Sequence, residues 1–308
     1  MNEFLNSAFS LAGQVVQLFI LMTVGFVCSK TKLISGKGVK EFVNILLYIV
    51  TPCLIVNSFL SVEFNDETIN SLLIATGCAI VSHIIGIIVS FLVNDSNEKK
   101  KSVLRFGTIF SNAGYMGLPL AQAVFGAEGV FYASIYVVMF NVIQWTYGIS
   151  LYDKGKNSLL KVLINPGTIG VIIGLPLFLL KVSLPDIIFT PINYLSSLNT
   201  PLAMMITGYY FTCSKLNVGM NNFKMWLVII LRLIAVPLIS LVIFKYLFKI
   251  DGVLLCCCIL PVSAPTAVNT MVLASKFESD TDLGLKLITI TTILSIITMP
   301  VILALAQI

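Results

Sequence analysis

The feature that most constrains this chain is a series of apolar runs separated by short polar stretches: 8–28, 41–60, 69–93, 103–125, 129–150, 166–181, 191–213, 222–248, 252–275 and 282–306. A helix needs ~20 such residues to cross ~30 Å of hydrocarbon. With 57% hydrophobic and 11% charged residues in 308, the composition lies outside the range of soluble folds. Lipid forces every backbone polar group to find its partner within the protein, and no alternating strand pattern of the barrel type occurs, so the runs predict helices. The expectation is an all-α polytopic membrane protein of ten transmembrane helices. Connections such as 30–40, 94–101 and 151–161 are too short for a soluble domain.

Lys and Arg divide unevenly between alternate loops. The odd-numbered loops hold Lys30, Lys32, Lys37, Lys40, Lys99, Lys100, Lys101, Arg105, Lys154, Lys156, Lys161, Lys215, Lys224 and Lys276, whereas the opposite side has Lys181, Lys245 and Lys249. By the positive-inside rule the odd loops are cytoplasmic, so both termini are expected outside the cell (inner or plasma) membrane. The net charge of +5 is read as this orientation signal, and no nucleic-acid partner is expected. The first ten residues lack a basic n-region and an A-x-A site, which predicts insertion through the first span without a cleaved leader. The cysteines (Cys28, Cys53, Cys78, Cys213, Cys256, Cys257, Cys258) sit within or at the ends of apolar runs, form no C-x-x-C pair and read as small buried apolar residues. Neither a metal site nor a cofactor is expected.

The halves overlay at a shift of 149 residues, which pairs Thr51-Pro52 with Thr200-Pro201 and His83 with Arg232. Five spans per half is an odd number, so the second half would enter the membrane in the opposite sense, giving two inverted five-helix repeats. In span 4, Ser111-Asn112-Ala113-Gly114-Tyr115-Met116-Gly117-Leu118-Pro119 gathers two glycines and a proline beside polar residues, a composition that breaks a helix. Its counterpart in span 9, Pro261-Val262-Ser263-Ala264-Pro265-Thr266-Ala267-Val268-Asn269, likewise gathers two prolines, hydroxyls and an asparagine. Broken helices 4 and 9 would cross near the bilayer centre and aim the positive N-terminal ends of their second halves at one site, which suits a carboxylate. Asn112 and Asn269 offer amide donors there, and Ser111, Ser263 and Thr266 offer hydroxyls. Pro52 and Pro201 read as hinges in supporting helices, and Asn57 as a residue of the facing wall.

Intramembrane His83 and Arg232 are candidates for coupling. His83 is either a neutral ring bonded to a carbonyl or a proton handler. Arg232, ten residues into its run, is placed to snorkel and to serve structure rather than substrate. All fourteen Asp and Glu residues fall in loops or at span ends, which disfavours cation exchange. No P-loop or H-E-x-x-H motif occurs, and a single histidine does not make a hydrolase triad, so the chain is not expected to be an enzyme.

The run Asn112 to Pro119 resembles the span 4 signature of the auxin efflux carrier family, and Ala264-Pro265 followed by Val272-Leu273-Ala274-Ser275-Lys276-Phe277 is similar to its second signature. The resemblance covers essentially the whole chain. It implies the fold of bile-acid sodium symporters and sodium/proton antiporters, with a scaffold (1–60 and 166–213) and a mobile transport part (69–150 and 222–308) that works as an elevator. It also implies a small mono- or dicarboxylate substrate such as malate or malonate, bound where helices 4 and 9 cross. Asn112, Gly114, Tyr115, Pro119, Pro265 and the polar residues above would line that site. In plant PIN-formed relatives a crossover asparagine meets the substrate carboxylate, a role the motif assigns to Asn112. The fifth loop here lacks the long cytoplasmic insertion of those exporters, and span 9 lacks the acidic residue of the bile-acid symporters' sodium sites. A homodimer through the scaffold is a further expectation. Two other readings stand beside it: a sodium- or proton-coupled symporter using Ser111, Asn112, Ser134 and Asn141, and a ligand-sensing membrane module.

Overall fold

The computed structural model describes residues 2–152, 166–213 and 222–307, and the orientation signal carried by Lys154, Lys156, Lys161 and Lys215 lies outside them. Among the described residues the regular structure is helical. Helix α1 spans Asn2–Lys30; α2, Gly36–Ile45, continues through a π turn, Leu46–Val50, into α3, Thr51–Ser61; and α4 spans Asp66–Ser90. Then come α5, Glu98–Ile109; a π turn, Ala113–Gly117, leading into α6, Leu118–Ile143; α7, Pro166–Leu179; α8, Asp186–Ser197; and α9, Asn199–Cys213. Helix α10, Phe223–Ile230, passes through a π turn, Leu231–Ala235, into α11, Val236–Val242, and the chain closes with α12, Gly252–Ser263, α13, Asn269–Lys276, and α14, Thr281–Gln307.

Helix starts follow the sequence chemistry. Asn65, Asn97 and Asn222 each turn a side-chain oxygen onto the first free N–H groups of α4, α5 and α10, and Ser35 does the same for α2. Gly36–Ser61, Asp66–Ser90, Ala113–Gly148, Phe223–Leu247 and Thr281–Gln307 are long and apolar enough to cross a membrane, and Val16–Lys30, Thr168–Leu179 and Gly252–Ser263 are shorter apolar helices. Ala113–Gly148 is not straight. Gly126, at φ 59° and ψ −141°, turns the chain. A Cβ on Gly129 would lie 2.5 Å from the carbonyl oxygen of Ala121, although eight residues of straight helix extend ~12 Å.

Two of the expected runs divide further. The 191–213 run parts at Leu198 into α8 and α9, because Pro201 has no N–H to continue the ladder to Ser197, the last residue of α8. The 252–275 run parts at 264–268. The cysteine expectation holds for Cys78 and Cys256 to Cys258, which are buried; Cys28 and Cys53 are half-buried, and Cys213, at the end of α9, is exposed.

Two helix pairs approach at backbone distance. In α1 and α9 a Cβ on Gly25 would lie 2.0 Å from the Met205 oxygen, and one on Gly208 1.8 Å from the Met22 oxygen. Between α3 and α7, Gly170 and Gly174 lie against Pro52, Ile55 and Phe59. Small residues at such contacts let helices gain packing that lipid does not otherwise drive. Outward faces carry Leu33, Leu180, Ile187 and Ile297, each more than 65% exposed, a surface that water would penalise and acyl chains accept.

Candidate functional site at the crossing of two broken helices

Helix α5 ends at Ile109 and the chain runs extended from Phe110 until it turns at Asn112 (φ −77°, ψ 53°); α12 ends at Ser263 and the chain runs extended from Ala264. The two breaks lie against each other as an antiparallel bridge, Ser111 to Thr266. The N–H of Asn112 donates to the Pro265 carbonyl at 2.6 Å, and the N–H of Ala267 to the Phe110 carbonyl at 2.9 Å. Backbone groups freed by each break are thus satisfied by the other, as an apolar surrounding demands. The breaks sit earlier and later than the glycines and prolines alone imply. Gly114 and Gly117 belong to a π turn, Pro119 follows that turn at the start of α6, and Pro261 lies inside α12.

The polar side chains at the crossing are mostly committed. Ser111 Oγ donates to the Tyr136 hydroxyl at 3.1 Å, Thr266 Oγ1 to the Gly107 carbonyl at 3.1 Å, Ser263 Oγ to the Leu260 carbonyl at 2.8 Å, and Asn269 Nδ2 to Gln144 Oε1 at 2.8 Å. Asn112 differs. It is 2% exposed, and its Nδ2 has no partner. Next to it Gly114 faces open room, since a Cβ there would meet nothing within 4 Å. Tyr115 is half-buried on the same turn, which packs against α9. Asn57, on α3, has an unpartnered buried Oδ1, and α3 packs on α6. Pro52 follows the π turn in the Gly36–Ser61 helix, and Pro201 stands in the first turn of α9.

The two intramembrane ionisable residues flank the crossing without snorkelling. His83 is fully buried, its Nδ1 is 2.6 Å from the Ala79 carbonyl, its Nε2 lacks a partner, and its ring lies 4.8 Å from that of Tyr136. Arg232 is also fully buried, which corrects the expectation that it reaches an interface. Its guanidinium donates to the carbonyls of Thr108 (3.3 Å) and Ile109 (3.1 Å), and to that of Val262. Among the described residues no Asp or Glu is buried. Ser134, weighed as a cation ligand, donates its hydroxyl to the Phe131 carbonyl at 2.7 Å.

A family model described as "Membrane transport protein" matches residues 10–161 and 151–303, which is nearly the whole chain. The chain belongs to this family. The transporter is also similar to two curated archaeal proteins. One, an uncharacterized transporter of Methanocaldococcus jannaschii, is 27% identical over 299 residues, covering 92% of this chain and 94% of the relative. The other, an uncharacterized transporter of Methanothermobacter thermautotrophicus, is 23% identical over 292 residues, covering 93% and 95%. Family and helices together make this a multi-pass membrane transporter rather than an enzyme. That agrees with the auxin efflux carrier resemblance carried by its two signatures.

Lys286 was missed by counting loop charges, because it lies inside the last apolar run. It is 6% exposed and pairs with Asp282 one helical turn away. It lines a cleft of about 530 Å³ with Asp95, Lys100, Lys224 and Asp280. A second cleft of about 530 Å³ is lined by Glu67, Glu128, Tyr132, Lys249 and Asp251. Lys224 Nζ lies 2.9 Å from Asp95 Oδ2 in the first cleft, and that ammonium holds the Asp95 carboxyl below its usual pKa.

Proposed function

We propose that this transporter is a secondary carrier of small organic anions, mono- or dicarboxylates such as malate or malonate, with one carboxylate held at the crossing of the two breaks. The observation that carries the reading is Asn112. A buried amide donor without a partner costs ~1–3 kcal/mol, and here it lies where helical N–H groups begin and where Gly114 leaves room. Tyr115, Pro119, Pro265 and Asn269 would shape the walls, with Asn57 facing them across α6.

The same proposal includes ten spans in two inverted repeats. Several features support it. Helices α5 and α12 are both twelve residues long and both end in a break. The offset of 149 carries Gly25 onto Gly174, and each packs against a helix bearing the Thr-Pro pair, Gly25 on the Met205 backbone of the Pro201 helix and Gly174 on the Phe59 side chain of the Pro52 helix. The first cleft combines the α4–α5 loop with the starts of α10 and α14, and the second combines the α11–α12 loop with the starts of α4 and the segment after Gly126. In this arrangement 1–60 and 166–213 form the scaffold and 69–150 with 222–308 the moving part, in a cell membrane with both termini outside. Pairing of two copies through the scaffold belongs to the same reading.

A membrane potential negative inside drives anion exit by ~2.3 kcal/mol per charge per 100 mV, so export needs no coupling ion. Import would need one, and His83 is then the residue that links transport to protons. The test is uptake into proteoliposomes of labelled malate, malonate, oxalate, lactate and an indole acid, with sodium, pH gradient and potential imposed separately. Transport of at least one acid, following the potential, is expected. Failure of every acid while a neutral or cationic solute is carried would end the anion reading, and strict sodium dependence would replace it with a cation-coupled symporter.

A further inference from the structure

Arg232 has an unusual set of partners for a buried guanidinium: none is a carboxylate, and all are backbone carbonyls. Thr108 and Ile109 close α5, and Val262 belongs to the last turn of α12. Carbonyls in a last turn have lost their own helical donors and carry the negative end of the helix dipole. One side chain, fully buried in the π turn Leu231–Ala235, therefore gathers the negative ends of two different half-helices.

We propose that Arg232 is a positioning residue of the transport site. It holds the two extended breaks in register from behind and cancels the charge of the two carbonyl ends. Each helix end amounts to roughly half an elementary charge, so two carbonyl ends are matched by one guanidinium. The N-terminal ends that follow the breaks, at Ala113 and Asn269, then remain uncompensated on the other side, together roughly one positive charge. A single ionised carboxylate group balances them, and Asn112 Nδ2 stands beside it as the free donor. The inference rests on the carboxylate reading above. It goes further by giving the site its charge and by assigning to a fixed side chain the task that a bound cation would otherwise perform.

The test uses the full-length protein purified in detergent, with Arg232→Gln and Arg232→Lys. The lysine variant keeps the charge, loses the fork and guards against a variant that does not fold. Amide hydrogen exchange is followed in peptides covering 106–116 and 260–270, with 16–30 as the internal reference, and malonate binding is measured in choline chloride and in sodium chloride. Both variants are expected to exchange faster in the two breaks and not in the reference. Malonate affinity is expected to fall at least about tenfold in Arg232→Gln and clearly less in Arg232→Lys, because the charge is what the ligand senses. Unchanged exchange in Arg232→Gln would overturn the positioning role, and equal losses of affinity in both variants would overturn the charge argument. If the wild-type protein binds malonate, the carboxylate reading stands apart from either result. If it binds none of malate, malonate, oxalate, lactate and an indole acid in the same assay, that reading fails while the exchange data still decide the role of Arg232.

Discussion

At the scale of single residues, Asn112 and Gly114 are where the proposed site can be tested apart from folding. Asn112 Nδ2 has no partner to lose, so Asn112→Ala is expected to leave the melting temperature unchanged or raised, while malonate affinity falls about 10- to 100-fold, the worth of a hydrogen bond to a charged group. Thermal unfolding and calorimetric binding on one preparation check both halves. Asn112→Asp should abolish binding by placing like charge at the site. His83→Gln tests the second reading: uptake that keeps its full pH dependence in that variant would remove His83 from any proton step. Sequence alone marked Asn112, His83 and Arg232 as odd residues for a membrane interior. It did not disclose what Arg232 holds, because its partners are backbone carbonyls, which every residue has and none advertises. Lys286 was hidden for a related reason, since an apolar run masks a lysine whose acid lies one turn away.

At the scale of elements, three of the five π turns among the described residues stand just before a proline; the other two, Gln144–Gly148 and Ile243–Leu247, do not. Pro52, Pro119 and Pro237 each follow a π turn by two residues, and the residue just before each proline donates its N–H five positions back, Thr51 to Leu46, Leu118 to Ala113, and Val236 to Leu231. A proline cannot make the helical bond to the carbonyl four residues earlier and its ring crowds that carbonyl, and one widened turn relieves both. The sequence therefore announced irregular helices, contained the second break within 261–269 and put the first a few residues too late. Pro119 and Pro261 are accommodated inside helices, while Phe110 with Ser111 and Ala264 to Thr266 leave the helix because each stretch finds a partner in the distant half, which no local pattern can reveal. Close helix pairs give a sharper test. Gly208→Ala would push a methyl into the backbone of α1, where Met22 O lies 1.8 Å from the new Cβ, and a loss of ~1–3 kcal/mol or more is expected from thermal unfolding. Gly114→Ala should fold normally, having nothing within 4 Å, and lose uptake if the ligand occupies that room.

At the scale of the whole molecule, two contacts join segments far apart in sequence and bear on the proposed elevator movement. Thr200 Oγ1, at the start of α9, donates to Gln122 Oε1 in α6 at 3.1 Å. If α6 slides past α9 during transport, a disulfide between Thr200→Cys and Gln122→Cys, in a background without native cysteines, should stop uptake under oxidation and restore it on reduction, with malonate binding retained. Undiminished uptake in the cross-linked protein would exclude sliding at this contact. Asp95 and Lys224 join the loop after α4 to the start of α10. Because the pairing lowers the Asp95 pKa in the folded protein, its contribution is full above the ordinary carboxylate range and is lost only as pH falls through the lowered value. Melting temperatures of wild type and Asp95→Asn should differ slightly at neutral pH and converge in strong acid, the gap being small because the pair is partly exposed.

The bridge between Ser111 and Thr266 also bears on how such a chain is made. When the ribosome has delivered the first half to the bilayer, the acceptor that Asn112 N–H needs, on Pro265, has not been synthesised. An extended segment with open backbone groups must then wait in lipid, water or the insertion machinery until the second half arrives. The first half alone should therefore be a poor membrane resident, prone to recognition by quality control. Completion of the crossing becomes a late event, made by the two halves closing on one another after both have been inserted.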